Sequence, residues 1–310
     1  MRGRLHLFTL QIPRERSHNY SIGIVMITAE EEKYILTHAY IPEHLVGLMT
    51  RVSGGEPFLV DDYFYCRKGD WIIIVGYPLQ HDFIINEFET VFNNLKKKYR
   101  PKYVSLVAPE LPLSVTDSCR ERESDYYYTL DIENITISSR LKRLVNKTLK
   151  SLKIEHSNHF RKDNSELSLE FIERVDPSPR VKELLLKMPE YVSHSSNSIV
   201  LNAWDYKDNL TAFYIVDLWA KNFSTYVIGC HSKKNYVSGA SDLLFFEMIK
   251  KSKECAKNYI HLGLGVNKGI RQFKKKWGGI PSHKYEMCEL VTRKPSIFDV
   301  FRGMQILNGH

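Results

Sequence analysis

Two stretches of this sequence carry residue types and spacings that could do chemistry. The first is "NYIHLGLGVNKGIRQFKKKWGG", residues 258–279. An apolar strand runs into glycine, and a short basic helix follows. Phe273 and Trp277, four apart, share a helix face and should pack inward. Arg271, Lys274, Lys275 and Lys276 either meet phosphates or form a solvated face. The second is "HSKKNYVSGAS", residues 231–241. Ser238, Gly239, Ala240 and Ser241 are small and lead into a helix. Such a run lets backbone N–H groups converge on an anion at the positive end of the helix dipole. An ordinary serine-capped helix start would read the same. The matching place in the first half, "PLQHDF", has no glycine, so only the second half is expected to hold a phosphate.

The elements around these stretches recur in order. In the first half, "SIGIVMITAEEEKYILTHAYI" and "DDYFYCRKGDWIIIVGYP" predict hairpins. A helix follows over "HDFIINEFETVFNNLKKKYRP", with Asp82 as N-cap, then strands at "KYVSLVAPEL" and "DYYYTLDI". The second half reads as strands "SIVLNAWDYKDNLTAFYIVDLWAKN" and "FSTYVIGCH", helix "SDLLFFEMIKKSKECAKN", strand "YIHLGLGV" and a closing strand "KYEMCEL". Between the halves, "SSRLKRLVNKTLKSLKIEHS" shows an apolar stripe from Leu141 to Leu152. Arg140, Lys142, Arg143, Lys147 and Lys150 cover the remaining faces. It is either a linker helix packed on one domain or a basic helix beside a polyanion groove. "FRKDNSE" and "VDPSPR" after it read as loops. The expected architecture is α+β: two side-by-side domains, each a mixed, mainly antiparallel sheet flanked by helices. Their expected bounds are 1–137, a basic linking helix 138–156, and 157–310.

The bulk composition fits this plan. At 310 residues, 43% hydrophobic and 26% charged, the chain is globular and long for one core. No apolar run is long enough to span a membrane, and the first twenty residues lack a secretory cleavage pattern. Five cysteines in no CxxC arrangement are expected to be reduced thiols in a cytoplasmic protein, neither a disulfide framework nor a zinc site. The net charge of +8 suits an anionic partner, or solubility alone. Serine-triad, HExxH, P-loop and Rossmann signatures are missing from the sequence.

Strand, small-residue loop, helix, strand and then "GIRQFKKKWGG" resemble the GNAT acyltransferase fold. The tandem form is the nearer likeness, as in Fem-type aminoacyltransferases and the C-terminal domain of phosphatidylglycerol lysyltransferases. Those families carry a glycine-ended strand and an F-K-x-x-W/F-G segment, matched here by Gly263 to Gly265 and by Phe273, Lys274, Trp277 and Gly278. "GDWIIIVGYPL" with "FETVF", and the basic "SSRLKRLVNK", extend the resemblance, which runs from about Asp61 to Leu290. The GNAT phosphate loop reads R/Q-x-x-G-x-G/A; here Tyr236 replaces the Arg or Gln and Ser241 the last small residue. Fem-type relatives relax this loop because many take an aminoacyl-tRNA.

The resemblance implies acyl or aminoacyl transfer to an amine or hydroxyl acceptor, with acyl-CoA or aminoacyl-tRNA as donor and no tightly bound cofactor or metal. The acceptor would be a small molecule or a peptide. It places Gly229, Cys230, Ser238, Gly239, Ala240 and Ser241 at the donor, with Asp217, His231 and Tyr236 as candidates for proton transfer. Asp217 lies among apolar residues, where a carboxylate should be paired or functional. Arg271, Phe273, Lys274 and Trp277 would line the substrate channel. Arg140, Lys142, Arg143, Lys147 and Lys276 would meet tRNA phosphates. A catalytically inactive module that binds tRNA or an anionic membrane surface is the other reading.

Overall fold

The computed structural model describes residues 26–292. The expected first hairpin is absent over its described part. Thr28 instead caps helix α1 (Ala29–His38) in a reciprocal box with Glu31, and Glu30, Glu31 and Glu32 sit in its first turn. A turn at Pro42–His44 leads to α2 (Val46–Ser53), ended by Gly54 at φ 66. Strands β1 (Glu56–Val60), β2 (Tyr63–Lys68) and β3 (Trp71–Val75) form a meander. Helix α3 (Ile85–Tyr99) buries Phe88, Val91, Phe92 and Leu95; its N-cap is Ile84, not Asp82. Strand β4 (Tyr103–Ala108) runs parallel to β3, and α4 (Leu113–Thr116) precedes β5 (Glu121–Asp131).

The linking segment divides in two. Ser138 caps α5 (Ser139–Thr148), while Leu152–Ser157 is strand β6 on the outer edge of the sheet. The stretch expected as loop, "FRKDNSE", mostly enters α6 (Lys162–Val175), and α7 (Pro179–His194) follows. Sparse apolar residues at the start of α6 hid it. Then come β7 (Ser198–Asp205), β8 (Leu210–Asp217), β9 (Phe223–His231), α8 (Ala240–Glu254), β10 (Tyr259–Leu264), α9 (Lys268–Lys276) and β11 (Ile280–Val291).

The two halves share one continuous sheet of eleven strands among the described residues, in the order β1-β2-β3-β4-β11-β5-β10-β9-β8-β7-β6. The last strand of each half has crossed into the other: β11 pairs with β4, and β5 pairs with β10. The exchanged strands pair with each other at the centre. Helices α5 and α8 cover one face of the second half through Leu141, Val145, Leu244 and Met248. Helices α6 and α7 cover the other through Leu167, Leu185 and Met188. The expectation of five reduced thiols is corrected: Cys119 and Cys288 form a disulfide that ties β11 to the turn before β5. Their separation of 169 residues leaves no local trace in the sequence.

Candidate functional site

The parallel strands of the second half part company. β9 and β10 are paired only at Tyr259↔Phe223, Ile260↔Ser224 and His261↔Thr225. Beyond Thr225, β9 runs on to His231, while β10 stays with β5 through an irregularity between His261 and Leu264. Gly263, at φ 71, makes that departure. In the first half, β3 and β4 remain zipped from Trp71↔Tyr103 to Val75↔Val107.

The loop after β9 is held by its own chain. Gly239 has φ 89 and is the N-cap of α8. A Cβ there would lie 2.3 Å from the Thr148 hydroxyl of α5. Glu170 of α6 accepts from the Lys233 N–H at 2.7 Å and the Ser232 hydroxyl at 3.0 Å, and Arg174 donates to the His231 carbonyl at 2.9 Å. Burial pushes the Glu170 carboxyl up, but these donors and Arg174 outweigh it and hold its pKa below the ordinary value. In the first turn of α8, Asp242 accepts from the Trp277 indole at 2.9 Å and pairs with Lys276. Two carboxylates therefore frame the helix start that was expected to bind an anion.

Helix α9 crosses the open end of β10. Asn267 caps it by accepting from the Ile270 N–H at 3.0 Å. Phe273 meets the edge of Phe245 at 5.4 Å, and Trp277 is buried on the same ring at 5.0 Å. Lys274 does not join the solvated cations. It is 6% exposed, donates to the Leu264 carbonyl at 2.5 Å and lies 5.4 Å from the Tyr128 ring centroid. Burial lowers its pKa from 10.5 to about 7, although Asp125 pulls the other way. Asp125 is occupied by the Tyr126 and Val266 N–H groups.

Solved structures match this arrangement over nearly their whole length. The C-terminal domain of a putative lysylphosphatidylglycerol synthetase from Agrobacterium fabrum is 13% identical, covering 90% of this chain and 96% of its own, with a TM-score of 0.56. FemX is 10% identical, covering 84% and 96%, with a TM-score of 0.58. A tandem GNAT protein from the clavulanic acid biosynthesis pathway is 8% identical, covering 86% and 95%, with a TM-score of 0.51. The chain has the tandem GNAT fold. No protein-family profile matches it, and no curated protein does.

Within this GNAT frame the residues singled out in the sequence fall into separate groups. Gly229 sits against the Tyr214 ring, whose hydroxyl donates to the Ser241 carbonyl at 3.1 Å. Cys230 is buried, which pushes its thiol up to about 12. Ser238, Gly239 and Ala240 form the loop and the start of α8, and Ser238 is exposed. His231 and the exposed Tyr236 meet edge to face at 6.3 Å, and burial lowers the His231 pKa. Asp217 is not with them. It pairs across the sheet with Thr225 and Ser198, whereas His231 pairs with Ala212 at the other end of β8. Its carboxyl accepts from Tyr191 and from the Trp219 N–H at 2.8 Å, and burial raises its pKa. That is a buried fastening of α7 to β8. Arg140, Lys142, Arg143 and Lys147 are exposed on α5, and Arg271 is half-buried beside Gly265.

Sequence reasoning missed a polar cluster at the centre, where the exchanged strands meet. His44, Tyr77, Tyr127 and His261 are each at most 1% exposed. His44 Nε2 donates to the Tyr77 carbonyl at 2.9 Å. The Tyr127 ring contacts His261 at 4.9 Å, Tyr285 at 5.3 Å and Tyr77 at 5.9 Å. Glu43 Oε2, the Tyr127 hydroxyl and His261 Nε2 are enclosed without a hydrogen bond of good geometry, although Glu43 and Tyr127 lie close enough to act on each other. A buried polar group left so costs about 1–3 kcal/mol, so three together are not a packing device. Burial raises the Glu43 pKa and holds His261 well below 6.5, leaving the imidazole neutral. Glu43 and Tyr285 also form the inner wall of a cavity of about 550 Å³ beside Trp71, Tyr103 and Arg180. The local signal is only the run Tyr126–Tyr128, which reads as ordinary strand.

Proposed function

We propose that the protein transfers an acyl or aminoacyl group from an activated donor to an amine or hydroxyl acceptor, at the parting of β9 and β10. The observation that carries this is Lys274, a buried lysine with its pKa near 7 at the open end of β10. Attack on an ester or thioester puts negative charge on the carbonyl oxygen, and a buried ammonium stabilises it more than one in water would. Near neutrality Lys274 exchanges between its two forms, so it can also hand a proton to the leaving oxygen or sulfur.

Aminoacyl-tRNA is the favoured donor. Glu170 and Asp242 at the loop and α8 oppose a pyrophosphate there, whereas Arg140, Lys142, Arg143 and Lys147 offer exposed charge to a polyanion. Charged tRNA as donor implies a cytoplasmic enzyme, and a tRNA partner. FemX and the synthetase domain supply the analogy for aminoacyl rather than acetyl transfer. Acyl-CoA remains the second reading, carried by the Gly239 turn at φ 89.

The test offers the protein charged tRNA and, separately, an acyl-CoA, each with a small amine, and follows loss of the activated ester. Charged tRNA should be consumed, and Lys274→Met should slow this by roughly 100- to 1,000-fold. Consumption of acyl-CoA alone would move the donor to the second reading. Tight tRNA binding with neither donor consumed would leave a binding module.

A further inference from the structure

The three unpartnered atoms at the centre specify what they could bind. The Gly263 N–H donates to His261 Nδ1 at 3.2 Å, so the neutral ring carries its proton on Nε2 and presents a donor. The Tyr127 hydroxyl can donate or accept, and the Glu43 carboxyl offers acceptor oxygens. Of the two arginines on the cavity wall, Arg180 is already engaged by Glu121, Glu123 and Glu289, and Arg120 lies beside Glu289, whose carbonyl its backbone N–H meets at 2.7 Å. Lys274 is buried against Tyr128 on the neighbouring core, yet its charge still reaches His261 and helps to keep that ring neutral. A carboxylate would face the Glu43 carboxyl, and an ammonium would point a proton at the His261 Nε2–H.

We propose that Glu43, Tyr127 and His261 bind one uncharged hydroxyl or amino group of a ligand that enters past Glu43 from the cavity. A hydroxyl accepts from His261 and Tyr127 and donates to Glu43, and a neutral amine accepts from His261 and donates to both Glu43 and Tyr127, satisfying all three. Its identity as the acceptor's nucleophilic end rests on the transfer reading above; the pocket itself does not.

The experiment titrates protein labelled with [15N]histidine with 1-propanol, propylamine and propionate. The His261 Nε2 signal is assigned through the hydrogen bond from the Gly263 amide. It should move with propanol, propylamine or both, and stay still with propionate. Propanol alone assigns a hydroxyl, and propylamine alone an amine. Tyr127→Phe removes only the hydroxyl, so it should leave the protein folded and weaken the response about tenfold. Equal movement with all three probes, movement with propionate alone, or no movement overturns the proposal; a pocket filled only by water gives the last. Failure here with charged tRNA still consumed removes the pocket and leaves the transfer reading. The opposite pattern does the reverse.

Discussion

The two halves of this molecule follow one order of strands and helices and differ where it matters for chemistry. In the first half β3 and β4 stay paired over five positions, and α3 starts at Ile84 with no turn that needs glycine. In the second, β9 and β10 stop after three pairs, Gly239 turns at φ 89, and α9 lays Lys274 across the opening. The first half kept its sheet closed and supplies Glu43 and the turn at His44 from the side. Opening a parallel pair leaves backbone groups without ladder partners, and those groups can hold a substrate. The exchange of β5 and β11 then binds the closed half to the open one.

The predictions sharpen that contrast. The largest concerns the exchanged strands, since a disulfide ties β11 to the turn that leads into β5. Replacing Cys119 and Cys288 together by Ser should cost about 2–4 kcal/mol in denaturant unfolding, because the bond closes a loop of 169 residues. Unchanged stability would mean that strand pairing alone holds the exchange. Next is the loop. Gly239→Val should cost about 1–3 kcal/mol through left-handed strain and the Thr148 contact. At the matching position in the first half, exposed Ile84→Val should stay within about 0.5 kcal/mol.

A third prediction concerns pH. Unfolded, Lys274 keeps its proton to about 10.5; folded, it sheds it near 7. Between these values the unfolded chain binds more protons, so rising pH favours the fold. From pH 7 to 10 the melting temperature of the wild type should rise relative to Lys274→Met. Parallel curves would contradict the buried amine. The smallest effect on stability belongs to Lys142→Ala with Arg143→Ala, within about 0.5 kcal/mol. The same change should lower the salt slope of tRNA binding by roughly 0.7 per lost phosphate contact. An unaltered slope would take α5 out of the tRNA path.

What the sequence disclosed was local. Strands β2 to β5 and β7 to β11, and helices α3 and α8, follow apolar periodicity, and Gly239 was legible as a turn because it stands among small residues just before a helix. Helix α1 was misread because "KYILTHAYI" is rich in β-formers, while the box of Thr28 and Glu31 fixes a helix. The strand exchange, the disulfide and the cluster of Glu43, Tyr127 and His261 depend on partners far apart in the chain, which no local pattern encodes. Lys274 was expected at phosphates, on a solvated face or, from the resemblance, in the substrate channel; its burial depends on where β10 ends.

The central claim is that buried Lys274 serves transfer from charged tRNA, and the most direct test is the pH dependence of a single turnover. Excess protein is mixed with charged tRNA and the acceptor amine, and the rate of ester loss is followed across neutral pH. The wild type should show an inflection near pH 7 that vanishes in Lys274→Met along with most of the rate. A rate that Lys274→Met leaves intact, with the same pH profile, would contradict the account.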